Sequence, residues 1–145
     1  MLRGMTQRKP ANVLDFETLR RAIERCDPDL ILGLYDDNAR LSIVSADAPR
    51  AAPFVLGGKA EIAKHLRAAF GQKTSHRVEG EVVGEDRVTF REACEYPDGG
   101  RIVVETTLDV RDGKIVHQVD VVVNDVQVYR EGDTSRNATR PSSMP

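Results

Sequence analysis

The sequence predicts one α+β domain in which a strongly bent antiparallel sheet, backed by N-terminal helices, encloses a small pocket. Three observations carry that expectation. Helical periodicity is confined to the first half of the chain, residues 76–124 read as consecutive strands joined by tight turns, and polar residues recur within the apolar faces of those strands.

The helices come first. From Asp15 to Cys26, Phe16, Leu19, Ile23 and Cys26 recur at helical spacing, with Glu17, Arg20, Arg21, Glu24 and Arg25 on the other face. Asp27-Pro28-Asp29 then supplies an N-cap, a proline at the first helical position and an acid in the first turn. It launches a second helix whose Leu30, Ile31, Leu34 and Tyr35 share a side and which ends at Asp36-Asp37-Asn38. Residues 39–46 turn β-like, Pro49 and Pro53 bracket a loop, and Phe54 to Leu56 form a short extended piece broken by Gly57-Gly58. A third helix is expected over Lys59 to Phe70, with Ile62, Leu66, Ala69 and Phe70 inward and Gly71 as its stop.

Turn chemistry at Gly84-Glu85-Asp86, Pro97-Asp98-Gly99-Gly100 and Asp112-Gly113 divides the rest into a four-strand meander. Residues 1–14 read as a flexible arm, 15–128 as the domain and 129–145 as a disordered tail with almost nothing to bury.

Size and charge exclude other classes. The chain has 145 residues, enough for one real core and short for two, and its net charge of −2 gives no basic footprint for nucleic acid. No run approaches the roughly 18 apolar residues that a membrane helix needs. A cytoplasmic location without membrane attachment is expected, with Cys26 and Cys94 as free thiols.

The motifs Asp27-Pro28-Asp29, Leu34-Tyr35-Asp36-Asp37-Asn38-Ala39, Gly57-Gly58-Lys59-Ala60-Glu61-Ile62 and Asp112-Gly113-Lys114-Ile115-Val116 occur in this order of elements. The pattern resembles the nuclear transport factor 2-like superfamily and, within it, the SnoaL-like proteins, over roughly residues 15–124. The resemblance implies a cone-shaped α+β barrel, a deep pocket and frequent homodimerisation.

Strand parity nominates the site, because alternate residues face opposite sides of a sheet. Val88, Phe90, Glu92, Cys94 and Tyr96 form one class, in which Glu92 is the odd member and Cys94 a further lining residue. A carboxyl among such neighbours loses hydration, which raises its pKa and suits it to proton transfer; the alternative is a rim Glu with its carboxylate in water or paired with an Arg. In the last strand, Val116, Gln118, Asp120 and Val122 make one class, while Ile115, His117, Val119, Val121 and Val123 make the other. With both faces apolar, the strand fits a pocket on one side and a second copy of the chain on the convex side. The SnoaL-like resemblance implies that Asp120 is a catalytic acid/base; a structural aspartate bracing the strand is the alternative.

His76 groups with Val78, Gly80 and Val82 and so faces the pocket as a possible acid or base. Thr106 and Tyr35 are further pocket candidates, each able to donate a hydrogen bond to a ligand oxygen; the alternative for each is a satisfied core polar group. His65 reads as a surface or packing residue. His117 and Asp120 sit three apart on a strand, on opposite faces, so they cannot share a metal, and none is expected.

The expected function is a pocket protein for a small, largely apolar, polyketide- or terpenoid-like molecule. As an enzyme it would be a cyclase, isomerase or dehydratase in which Asp120 and Glu92 exchange protons while Tyr35, His76, Cys94, Thr106 and Gln118 contact the substrate. No cofactor has a motif here. The resemblance implies a fold shared with ketosteroid isomerase, but alignment puts Ile43, Leu19 and Thr106 where its base, tyrosine and acid should stand, which argues against that mechanism. The rival is a non-catalytic ligand-binding or dimeric interaction module.

Overall fold

The computed structural model describes residues 13–48 and 50–124; most of the expected arm, and all of the expected tail, lie outside these residues. Helix α1 (Phe16–Glu24) starts at Asp15, whose carboxylate accepts the Thr18 backbone N–H at 3.2 Å. It buries Phe16, Leu19, Ala22 and Ile23. Leu14, assigned to the arm by its sequence, is only 1% exposed and joins the same core, so the packed chain begins before Asp15.

Helix α2 (Pro28–Leu32) begins as expected, with the Asp27 carboxylate accepting the Leu30 N–H at 3.2 Å. It is shorter than its apolar pattern predicts. Gly33 closes it, and Tyr35 opens strand β1 (Tyr35–Ser45) instead of extending the helix. Tertiary pairing overrides the helical spacing: Tyr35 aligns with Ile115, whose N–H donates to the Leu34 carbonyl at 2.8 Å. Asp36-Asp37-Asn38, expected to end the helix, lies in an irregular stretch of β1 where the register shifts between Tyr35 and Arg40.

Strand β2 (Phe54–Gly57) leads into helix α3 (Lys59–Phe70), which Gly71 terminates as expected. Strands β3 (Ser75–Val83), β4 (Arg87–Glu95), β5 (Arg101–Arg111) and β6 (Lys114–Asn124) form the meander. Asp112 and Gly113 have φ of 53° and 77°, as a two-residue type I′ turn between twisted strands requires.

The strand order is β2-β1-β6-β5-β4-β3. The expected α+β fold, helices backing a curved and largely antiparallel sheet, is present, and the strand order refines it in two details. The sheet is open rather than closed into a barrel, with β2 and β3 at its edges. It is also mixed, because β1 runs parallel to β6 while the other neighbours are antiparallel.

Two bulges bend the sheet and reset side-chain parity. In β3, Glu79 pairs with Arg91 but Val82 with Thr89, so Gly80, at φ 68°, and Glu81 share one partner position. Val82 is therefore 67% exposed, contrary to its grouping with His76 and Val78. In β6, His117 pairs with Asp109 and Ile115 with Val110, leaving Val116 without a partner on β5. Ile115, assigned to the outer class, is fully buried in the core as a result.

The helices cover the concave face. Glu24 of α1 accepts the Val78 N–H at 2.9 Å, and Arg20 donates to the Val78 carbonyl at 3.0 Å. This clamp fixes β3 next to the helix layer, and His76 with it.

Candidate active site

A cavity of about 240 Å³ lies between the concave face and helices α1 and α3. That is small for a ligand pocket, which typically spans roughly 300–1,000 Å³. Its walls are mainly apolar, including Leu19, Ile23, Phe90, Val104 and Leu108. Within them, β4 contributes Glu92 and Cys94, β6 contributes Gln118 and Asp120, and Tyr35 and His76 enter from β1 and β3. Six of the seven residues nominated by the sequence therefore line one cavity. Thr106, only 3% exposed, stands behind that lining and spends its hydroxyl on Asp120.

The polar groups form two clusters. In the first, Asp120 Oδ1 accepts from Thr106 Oγ1 at 2.9 Å and from Gln118 Nε2 at 2.9 Å. The Gln118 amide oxygen in turn accepts from the Tyr35 hydroxyl. This chain fixes the amide orientation: with the tyrosine donating to oxygen, the amide nitrogen faces the carboxylate. Tyr35 thus contacts Gln118 instead of offering its proton to a ligand.

In the second cluster, Glu92 Oε2 lies 2.6 Å from His76 Nδ1 and 3.6 Å from Cys94 Sγ, which is itself 3.5 Å from His76 Nδ1. Two lone pairs 2.6 Å apart would repel, so one proton lies between carboxylate and imidazole. The three side chains meet because His76 and Cys94 are directly cross-strand and Glu92 is two residues from Cys94 on the same face. Phe70, at the end of α3, covers the imidazole with ring centroids 4.5 Å apart.

Burial raises the Asp120 carboxyl to about 6, even though the bonds from Gln118 and Thr106 pull it down; the negative charge of Glu92 adds a smaller upward push. Burial, and then Glu92, holds the Cys94 thiol well above its ordinary value. Tyr35 is likewise pushed up by burial first, then by Asp120 and Glu92. Both remain protonated donors at neutral pH.

His65 lines the cavity too, and burial lowers its pKa. Its sequence carried the signal, since it falls between Ile62 and Ala69 on the inner stripe of α3. Thr74 and Tyr96, not nominated, also line the cavity. His117 lies outside, 3.7 Å from Asp109, on the face opposite Asp120.

The family profile of the SnoaL-like domain matches residues 16–118. The chain belongs to the SnoaL-like family. Among solved structures, a nuclear transport factor 2-like protein of unknown function from Mesorhizobium loti is 20% identical, with a TM-score of 0.65, covering 74% of this chain and 86% of its own. A candidate ketosteroid isomerase from Kribbella flavida is 13% identical, with a TM-score of 0.62, covering 74% and 73%. A candidate polyketide cyclase from Sinorhizobium meliloti is 15% identical, with a TM-score of 0.55, covering 72% and 91%. At these identities the likeness establishes the nuclear transport factor 2-like fold, and this SnoaL-like chain is a pocket protein of that fold. No curated protein sequence matches it.

Proposed function

We propose that this SnoaL-like protein is a cofactor-independent acid/base catalyst. It would cyclise, isomerise or dehydrate a small, largely apolar polyketide- or terpenoid-like molecule. The observation that carries this reading is the pairing of Asp120 and Glu92 in one apolar cavity, each tied through a single oxygen.

Donors occupy Oδ1 of Asp120, so a proton on this carboxyl sits on Oδ2. With its pKa at about 6, the group can both give and take a proton near neutrality. Glu92 receives its bonds at Oε2, leaving Oε1 for the ligand. A proton removed from one carbon or oxygen of the skeleton by one carboxylate can then be returned elsewhere by the other. Apolar walls strengthen such transfers by excluding water. Gln118 and His76 orient the substrate, while Tyr35 and Thr106 act through Gln118 and Asp120 as positioning residues. The cyclase and isomerase designations of the Sinorhizobium meliloti and Kribbella flavida proteins agree with this class of chemistry.

The outer face of β6, with Val119, Val121 and Val123 half-buried, supports a second proposal, that two copies pack through the convex sheet.

The test is to express wild type and Asp120→Asn in the native host and extract what each protein retains. Catalysis predicts that the variant holds a precursor, isomeric with the wild-type product or heavier by one water. Recovery of the same unchanged molecule from both proteins would support the non-catalytic, ligand-binding reading instead.

A further inference from the structure

We infer that His76, Glu92 and Cys94 form a binding site for a thiophilic divalent cation, with zinc(II) the ion that fits. Nδ1, Oε2 and Sγ are three different donor types converging from two adjacent strands, all within 4.8 Å of one another. Their side chains are buried, His76 and Glu92 at 6% and 14% side-chain exposure and Cys94 at 5% overall. This is unlike an exposed acidic patch.

The spacing suits one tetrahedral centre. Donors about 2.0–2.3 Å from a zinc ion stand roughly 3.2–3.7 Å apart. The Sγ–Nδ1 and Sγ–Oε2 separations are already 3.5 and 3.6 Å. Only the Nδ1–Oε2 pair, at 2.6 Å, must open, by roughly 0.6 Å or slightly more, a change that side-chain torsions absorb. Imidazole, carboxylate and thiolate together select zinc over magnesium or calcium, which take oxygen donors. Three protein ligands leave the fourth position for water or a ligand atom in the cavity that all three side chains line.

The charges balance as well. In the metal-free cluster, one proton lies between His76 and Glu92 and another sits on the Cys94 sulfur. On binding, the thiol loses its proton to solvent, the proton that lay between His76 and Glu92 moves to Nε2 of the imidazole so that Nδ1 is free for the ion, and the dication meets one thiolate and one carboxylate. A neutral centre is thereby buried where a lone carboxylate stood, and one proton is released per ion. Zinc on Oε2 would draw off the charge that Glu92 needs as a base at Oε1, so metal binding and acid/base turnover would oppose each other; the site does not depend on the pocket being catalytic.

Cobalt(II) tests the site without an activity assay. Full-length protein freed of metal with a chelator and desalted is titrated with cobalt(II) chloride, followed by displacement with zinc chloride. The expected result is one ion per chain, with a near-ultraviolet thiolate-to-cobalt charge-transfer band and intense visible bands of tetrahedral cobalt, all lost on zinc addition. Cys26→Ser should leave the spectrum unchanged; Cys94→Ser should abolish the charge-transfer band and Glu92→Gln should weaken binding at least tenfold, with thermal melts checking that each variant folds. Wild type lacking the charge-transfer band, or a band that survives in Cys94→Ser, would overturn the inference.

Discussion

Thr106 on β5 and Asp120 on β6 are cross-strand partners, and the threonine hydroxyl donates to Asp120 Oδ1 at 2.9 Å. The bond stabilises the ionised carboxylate and opposes the effect of burial. Thr106→Val keeps the shape and removes the donor. We expect the Asp120 pKa to rise above about 6, and stability at neutral pH to fall by about 1–3 kcal/mol. Thr106→Ser should restore both. Urea denaturation between acid and neutral pH measures them together.

The raised carboxyl gives stability a defined pH dependence. Asp120 titrates at about 6 in the folded chain, above its ordinary value of 3.8, so the folded state binds more protons between those limits. Its contribution is full below about pH 4, lost as pH rises through about 6, and constant above, on the order of 2–3 kcal/mol. Asp120→Asn should remove that part of the slope. Glu92, His76, Tyr35 and Cys94 face the same cavity and remain in the variant, so the difference between urea midpoints of the two proteins isolates Asp120.

Tyr35 orients Gln118 and thereby the bond from its amide to Asp120. In Tyr35→Phe the amide loses the partner that fixes its sense, and a flipped amide would present oxygen to the carboxylate. The expected outcome is a higher Asp120 pKa with the fold retained, read as an upward displacement of any activity or ligand-affinity pH profile. An unmoved profile would show that Gln118 holds its orientation without the tyrosine.

The bulge at Val116 makes a contrast between neighbours. Ile115 is fully buried, whereas Val116 is half-buried, beside His117 in a shallow depression away from the core. Ile115→Ala should cost about 2–5 kcal/mol, and Val116→Ala within about 0.5 kcal/mol. Simple alternation along β6 predicts the reverse, so thermal unfolding of the two variants decides between them.

Much of this was legible in the sequence, for identifiable reasons. Strict alternation placed Phe90, Glu92 and Cys94 on one face of β4, and Gln118, Asp120 and Val122 on one face of β6, because no bulge intervenes within those stretches. Turn residues marked every hairpin. What failed was local pattern where tertiary pairing intervened. Tyr35 continues the apolar side of α2 in sequence, yet β6 draws its backbone into the sheet. Val82 and Ile115 each stand beyond a bulge that alternation cannot anticipate. The parallel partnership of β1 and β6 pairs residues about 80 positions apart in the chain, such as Tyr35 with Ile115, which no local signal encodes. The hydrogen-bond partners, Thr106 with Asp120 and His76 with Glu92, required the cross-strand register.

The claim on which the functional account rests is that Asp120 and Glu92 share one low-dielectric cavity. A carbon-13 titration of the Asp120 carboxyl, in wild type and in Glu92→Gln, tests it most directly. The account predicts a midpoint at about 6 in wild type and a lower one in the variant, because a facing negative charge has been removed. A midpoint near the ordinary aspartate value, unmoved by Glu92→Gln, would contradict it.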